Sequence, residues 1–259
     1  MYALRILTGA FQKELKQQAI SAGQAYMIAG SAATSAALAW IVHQSGHYSS
    51  LAYLCIGVAL ISIWRGAIAI SGWSLSNEIY GGTMEFTMIS RASLTLVLFG
   101  KILAQLAYEM PGGIISALSV LVVVRRIPQV ASSGLMCISI ILAVIGLLVL
   151  TSVLANLVLL VGGKSGFFMG IVPFGAVLSG FILPVYQLPQ GFEIAARLLP
   201  TSWAMDSVWL STTGSDSIWM IFRLWEISIG LILVWFIFTV WLCRKVEGRI
   251  RVQGTLGKI

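Results

Sequence analysis

Apolar runs of about 20 residues recur along this chain, and that is the length a helix needs to cross the hydrocarbon core of a bilayer. The plainest is Leu135–Val161, which contains no Asp, Glu, Lys or Arg. Similar stretches occupy Ala25–Val42, Leu51–Trp73, Ile102–Val124, Phe167–Tyr186 and Trp219–Cys243. In lipid each backbone polar group must find its partner within the protein, so runs of this length fold as helices. Only 10% of the residues are charged, against about a quarter in a soluble domain, and the mean hydropathy is +0.94. The expected fold class is an all-α polytopic membrane protein with about six transmembrane helices, in a single transmembrane domain over residues 1–259. Too little chain is left over for a soluble catalytic domain.

The net charge of +7 would suit nucleic acid if it were gathered on one surface. It is not. Arg5, Lys13, Lys16, Arg91, Lys101, Lys164, Arg244, Lys245, Arg249, Arg251 and Lys258 fall in the segments on one side, and only Arg125, Arg126, Arg197 and Arg223, the last near the outer end of its span, on the other. Lys and Arg accumulate on the cytoplasmic side of membrane proteins, so this bias places both termini in the cytoplasm. The partner implied by charge is the lipid bilayer, and nucleic acid is excluded. Cys55, Cys137 and Cys243 all lie in apolar runs, with no CxxC spacing. They read as small buried hydrophobes, with no disulfide framework and no metal set.

Residues 1–20 repeat Leu4, Leu7, Phe11 and Leu15 at helical spacing, with Arg5, Lys13 and Lys16 elsewhere around the turn. This is the pattern of an amphipathic helix lying in the membrane interface. Arg65 falls inside the second span, where an unpaired arginine costs several kcal/mol. Glu109, in the third span, is its natural partner. Arg65 lies some eight residues before Trp73, and Glu109 eight residues after Lys101, both counted from the cytoplasmic end. Antiparallel neighbours would bring them to one depth, either to fix helix register or as a polar element on a transport path. Met110-Pro111-Gly112-Gly113 is expected to break the third span, because proline removes a backbone donor. Gly162-Gly163-Lys164-Ser165 imitates the end of a P-loop, but Val158 stands where a glycine is needed and no strand precedes it. Gly166-x-x-x-Gly170 is a helix-contact spacing. Pro184 precedes residues 187–218, and Pro189 and Pro200 divide them into pieces too short to cross, which suits external or re-entrant helices before the last span.

The most informative stretch is Asn77–Lys101, charged and set between two spans. Gly81-Gly82 ends what precedes it. Thr83 can cap a short helix, with Glu85 near its positive end. Phe86, Met88 and Ile89 then form an apolar face. The residues alone also allow an ordinary amphipathic helix on lipid headgroups. Glu78, Gly82-Thr83-x-Glu85, the apolar half-turn, Ser93 and Gly100-Lys101 together resemble the first cytoplasmic loop of the type-2 ABC (ATP-binding cassette) exporter permeases. Where many members carry Thr-Pro, this chain carries Ser90-Arg91. The proline-split segment ending Pro200-Thr201-Ser202-Trp203-Ala204-Met205-Asp206 resembles the same family.

The resemblance implies that residues 75–101 are a cytoplasmic coupling loop whose helix docks on an ATPase. The docking residues would be Glu78, Gly82, Thr83, Glu85 and Phe86. It further implies two ABC ATPase subunits as partners, which hold the ATP and magnesium, and no cofactor or catalytic residue in this chain. A second permease half, identical or homologous, would meet it near Gly166 and Gly170. The setting would be a prokaryotic cell membrane. Aromatic-rich, weakly polar spans suit a hydrophobic or amphipathic cargo such as a drug, a peptide antibiotic, or a lipid-linked or polysaccharide molecule. The alternative from another class is an ion-coupled secondary transporter or channel that uses Arg65 and Glu109 as its relay. It leaves the Gly82-Thr83-x-Glu85 loop unexplained.

Overall fold

The computed structural model describes residues 2–19, 23–45, 51–80, 94–160, 166–214 and 218–253. Among them there is no strand. The long helices are α1 (Tyr2–Ala19), α2 (Gly23–Ser45), α3 (Leu51–Tyr80), α4 (Leu94–Val124), α5 (Ser133–Leu160), α6 (Gly166–Leu178) and α9 (Ile218–Gln253). Between α6 and α9 lie a 3-10 turn at Val185–Gln187 and two shorter helices, α7 (Gln190–Ala196) and α8 (Pro200–Thr213). Among the described residues, four helices carry stretches long and apolar enough to cross a membrane: Leu51–Ile68, Thr95–Val124, Ser133–Val158 and Ile218–Gly248. The chain is a membrane-embedded, all-helical protein.

Two groups of helices meet along α3. The first gathers α1, α2 and α3 around α4, and the second packs α5, α8 and α9 together. Tyr53, Leu60 and Trp64 of α3 pack with Leu147, Phe181 and Met205 in one continuous core. Backbone contact is closest at Gly57, where a Cβ would collide with the main-chain carbonyl of Phe181. Outward faces are apolar as well. Ile114, Leu118 and Val122 form an exposed row on α4, and Leu233, Ile237 and Trp241 another on α9. Both rows recur at helical spacing, which makes one face of each helix available to lipid.

Several sequence expectations change here. Pro111 does not break α4, which is helical through Val124. The proline ring lies on an exposed face, while Gly112 and Gly113 are buried against α3. A Cβ on Gly113 would stand 3.1 Å from the Ala59 carbonyl oxygen. The glycines thus serve close helix approach, as small residues do in lipid. The fifth span, expected over Phe167–Tyr186, is helical only to Leu178. There Gly180 adopts φ +76° and the Phe181 amide turns back to the Ala176 carbonyl at 3.2 Å. The Tyr53 hydroxyl donates to the Gly180 carbonyl and fixes this turn to α3. At 13 residues α6 is about 20 Å long, short of the roughly 30 Å hydrocarbon core. The apolar part of α2 is likewise short, Ile28–Val42. Arg244-Lys245 ends the apolar part of the last span, not its helix, which continues to Gln253. Cys137 is exposed, while Cys55 and Cys243 are buried.

Residues 187–218 hold α7 and α8. At 14 residues, α8 is about 21 Å long and cannot cross alone. It is nonetheless mostly buried, against α5 and α9. Its Ser202, Ser207 and Ser211 hydroxyls each donate to the carbonyl three residues earlier, which satisfies them inside an apolar surround. Gly57→Ala should lower stability in detergent by about 1–3 kcal/mol, because main chain must shift to admit the methyl group. Gly230→Ala, where nothing lies within 4 Å, should change it by less than about 0.5 kcal/mol. Thermal unfolding of the two variants checks this, and equal midpoints would refute the close contact.

Candidate functional site

The α3–α4 seam carries the buried charge. Glu109 is 4% exposed, and its carboxyl rests against the backbone of Gly66, where any Cβ would strike it. Arg65, the neighbour of Gly66 in α3, acts electrostatically on that carboxylate. Ser62, one turn earlier, faces Gly112 of α4. The seam therefore places Glu109, Arg65 and Ser62 together in a stretch that glycines keep narrow. One carboxylate oxygen, Oε1, is buried without a hydrogen-bond partner among the described residues. Burying a carboxylate without full hydrogen bonding is costly, and a nearby opposite charge offsets part of that cost. Trp64, on the far side of Arg65, donates its indole N–H to the Val172 carbonyl at 3.1 Å and so ties this level of α3 to α6.

A second polar cluster lies at the start of α4. Glu14 of α1 is buried, at 3% exposure. Its Oε1 accepts from Gln105 Nε2 at 3.0 Å, and its Oε2 lies 3.9 Å from Lys101 Nζ. Lys101 and Gln105 are one helical turn apart, so both reach the same carboxylate. Sequence reasoning passed over Glu14. The signal was its position: seven residues after Leu7 and three after Phe11, on the apolar side of α1. Lys101, read as the end of a solvated loop, is a buried residue of α4.

The third cluster joins the proline-split pieces. Arg197, just past α7, donates from Nη1 to Asp206 Oδ2, and its Nη2 lies 3.6 Å from Glu193. Its guanidinium carbon stands 4.6 Å above the Trp203 ring, a cation–π contact. The Trp203 indole returns a hydrogen bond to the Arg197 carbonyl at 2.9 Å. Burial pushes the Asp206 carboxyl up from its ordinary value, and the Arg197 hydrogen bond and charge work against that rise.

The expected coupling residues divide at the edge of the described region. Glu78 belongs to the last turn of α3, while Gly82, Thr83, Glu85 and Phe86 lie outside the described residues. Residues 75–80 and 94–101 of the expected loop are helical, which leaves 81–93 between α3 and α4. Gly166 begins α6, and Gly170 is exposed with open space where a Cβ would stand. Residues 162–165, the P-loop imitation, also fall outside the described residues. No three of His, Cys, Asp and Glu come together as metal ligands among the described residues. Comparison of the chain with protein-family models, curated proteins and solved structures finds no match.

If Arg65 and Glu109 interact, their substitutions must be non-additive. A double-mutant cycle of Arg65→Gln and Glu109→Gln should give a coupling of at least about 1 kcal/mol in unfolding free energy. Additivity within about 0.5 kcal/mol would mean that the two charges are energetically separate. Asp206→Ala should cost about 2–3 kcal/mol, because it leaves Arg197 half-buried beside Trp203 without its main partner. A chemical-denaturation midpoint equal to that of the parent would contradict this.

Proposed function

We propose that this chain is the permease subunit of an ABC exporter, paired with a second permease half and driven by separate ATP-hydrolysing subunits. The observation that carries the reading is the charged segment from Glu78 through Gly82-Thr83-x-Glu85 to Gly100-Lys101, set between two membrane helices. Three features support it. The segment joins α3 directly to α4, so force applied to it acts on the two helices that meet at Glu109. The first turns of α4 are also held by α1 through Glu14, which gives the loop a firm base. The third is the run of short helices before the last span, which resembles the segment the same exporters carry there.

In this reading α2, and α6 together with the Gly180 turn that follows it, complete six spans with α3, α4, α5 and α9, and both termini are cytoplasmic in a prokaryotic cell membrane. Thr83 and Glu85 order the coupling helix, Phe86 enters a groove of the ATPase, and Glu78 lies beside it. ATP and magnesium are held by the partner. Hydrolysis there shifts the two halves between inward- and outward-facing states, and the cargo is hydrophobic or amphipathic. A contact between halves near Gly166 and Gly170 fits the open space at Gly170.

One observation favours a second reading, ion-coupled transport: the buried Glu109 oxygen without a hydrogen-bond partner, beside Arg65. Tagged chain purified from its native membrane separates the two. The exporter reading expects an ATP-binding-cassette subunit to come with it. Coupled ATP hydrolysis should then fall at least about fivefold in Glu85→Ala, the effect of losing roughly 1 kcal/mol at a docking surface. A chain that comes down alone, and transports without nucleotide but not as Glu109→Gln, would establish the second reading instead.

A further inference from the structure

Helix α1 sorts its charges by face. Its single acidic residue, Glu14, is turned inward and held by Gln105 and Lys101 of α4. Its Arg5, Lys13 and Lys16 are all exposed. At 100° per residue these three lie within about 80° of one another around the helix, with exposed Gly9 among them and exposed Gln12 about 20° beyond. The inner side carries Leu7, Ala10 and Phe11, all partly buried. Withdrawal of Glu14 therefore leaves an outward stripe with no negative charge among its described residues.

The stripe is also at a defined level. Leu7 and Ala10 press on Gly100, where a Cβ would stand 2.8 Å from the Leu7 carbonyl oxygen, and Glu14 reaches Lys101 and Gln105. Gly100 and Lys101 fall in the first third of the candidate span Thr95–Val124 and Gln105 just past it, all about 15 Å or less from its beginning. Long basic side chains at that depth extend toward the headgroup layer while their stems lie along apolar surface. An apolar inner side, a cationic outer stripe and a place beside the end of a span are the features of a helix bound to a charged membrane surface.

We infer that the Arg5–Lys13–Lys16 stripe is a binding surface for anionic phospholipid headgroups, and that the burial of Glu14 against Lys101 and Gln105 keeps it free of negative charge. Charge complementarity selects the occupant, since a zwitterionic headgroup offers the stripe no net attraction. The inference stands apart from the transport reading, because it requires no motor and no cargo.

The test is hydrogen–deuterium exchange of α1 amides in the full chain, in nanodiscs of phosphatidylcholine alone and with phosphatidylglycerol added. One basic residue near an anionic surface changes partition by roughly fivefold. Exchange across α1 should therefore slow by at least about fivefold in the anionic discs at low salt, and the slowing should vanish in high salt. The triple variant Arg5→Gln, Lys13→Gln, Lys16→Gln should exchange equally in both kinds of disc. Amides of α5 serve as the folding control and should not change. Equal α1 exchange in neutral and anionic discs for the parent chain would overturn the inference. It would leave the stripe as a solvated face, or as a surface for an acidic protein.

Discussion

Gly66 on α3 and Gly113 on α4 set how closely two membrane helices approach, and the rest of the structure is arranged around that approach. Water provides no driving force between helices inside lipid, so packing and internal hydrogen bonds must hold them. At Gly113 the α4 backbone comes up to the Ala59 carbonyl, and at Gly66 the Glu109 carboxyl comes up to the α3 backbone. A methyl group at Gly66 would displace the carboxyl, and one at Gly113 would press on the Ala59 carbonyl. From this seam α3 reaches across to α5, α6 and α8. It does so through Tyr53 at the Gly180 turn, Gly57 at Phe181 and Trp64 at Val172.

The same seam orders the polar groups from one end of α4 toward its middle. Near the start, Lys101 and Gln105 hold the Glu14 carboxylate of α1. Farther along, Glu109 faces Gly66 and the charge of Arg65. Lys101, Gln105 and Glu109 are spaced four residues apart, so they lie along one side of the helix. The Glu14 carboxylate is thus met nearer the start of α4 and the Glu109 carboxylate farther along it. Closely packed interiors pass on small shifts because they hold few voids to absorb them.

Much of this was legible in the sequence, and the parts that were not have physical reasons. The apolar runs marked the long helices, because crossing lipid leaves the backbone little choice. Counting residues from the span ends brought Arg65 and Glu109 to a common depth, and in the structure the Glu109 carboxyl rests against Gly66, the residue next to Arg65. Glu14 was hidden because its partners, Lys101 and Gln105, sit 87 and 91 residues away on another helix. The early stop of α6 was hidden for a related reason. Its apolar run continues past Leu178, and the turn is fixed by Gly180 together with a hydroxyl from Tyr53, 127 residues distant. Pro111 misled because its ring faces outward, so the helix continues while the buried glycines beside it do the packing. The Arg197–Asp206 contact joined residues nine apart across the Pro200 break, a separation at which local pattern carries no pairing signal.

The α3–α4 seam can be tested by crosslinking Ile63→Cys to Gly113→Cys, with Cys55, Cys137 and Cys243 replaced by alanine. Ile63 Cγ1 lies 3.1 Å from where a Cβ on residue 113 would stand. A cysteine sulfur placed there would stand within bonding reach of one on residue 113, with the Ala59 carbonyl giving by a few tenths of an ångström. With a protease site inserted between Gly81 and Ser93, mild oxidation in membranes should leave the two cleaved fragments joined until a reductant is added. Ile63→Cys with Leu118→Cys, whose second position is exposed on α4, should leave them separate. Fragments that separate in the first pair, or crosslink equally in both, would contradict the glycine-set seam on which this account of the protein rests.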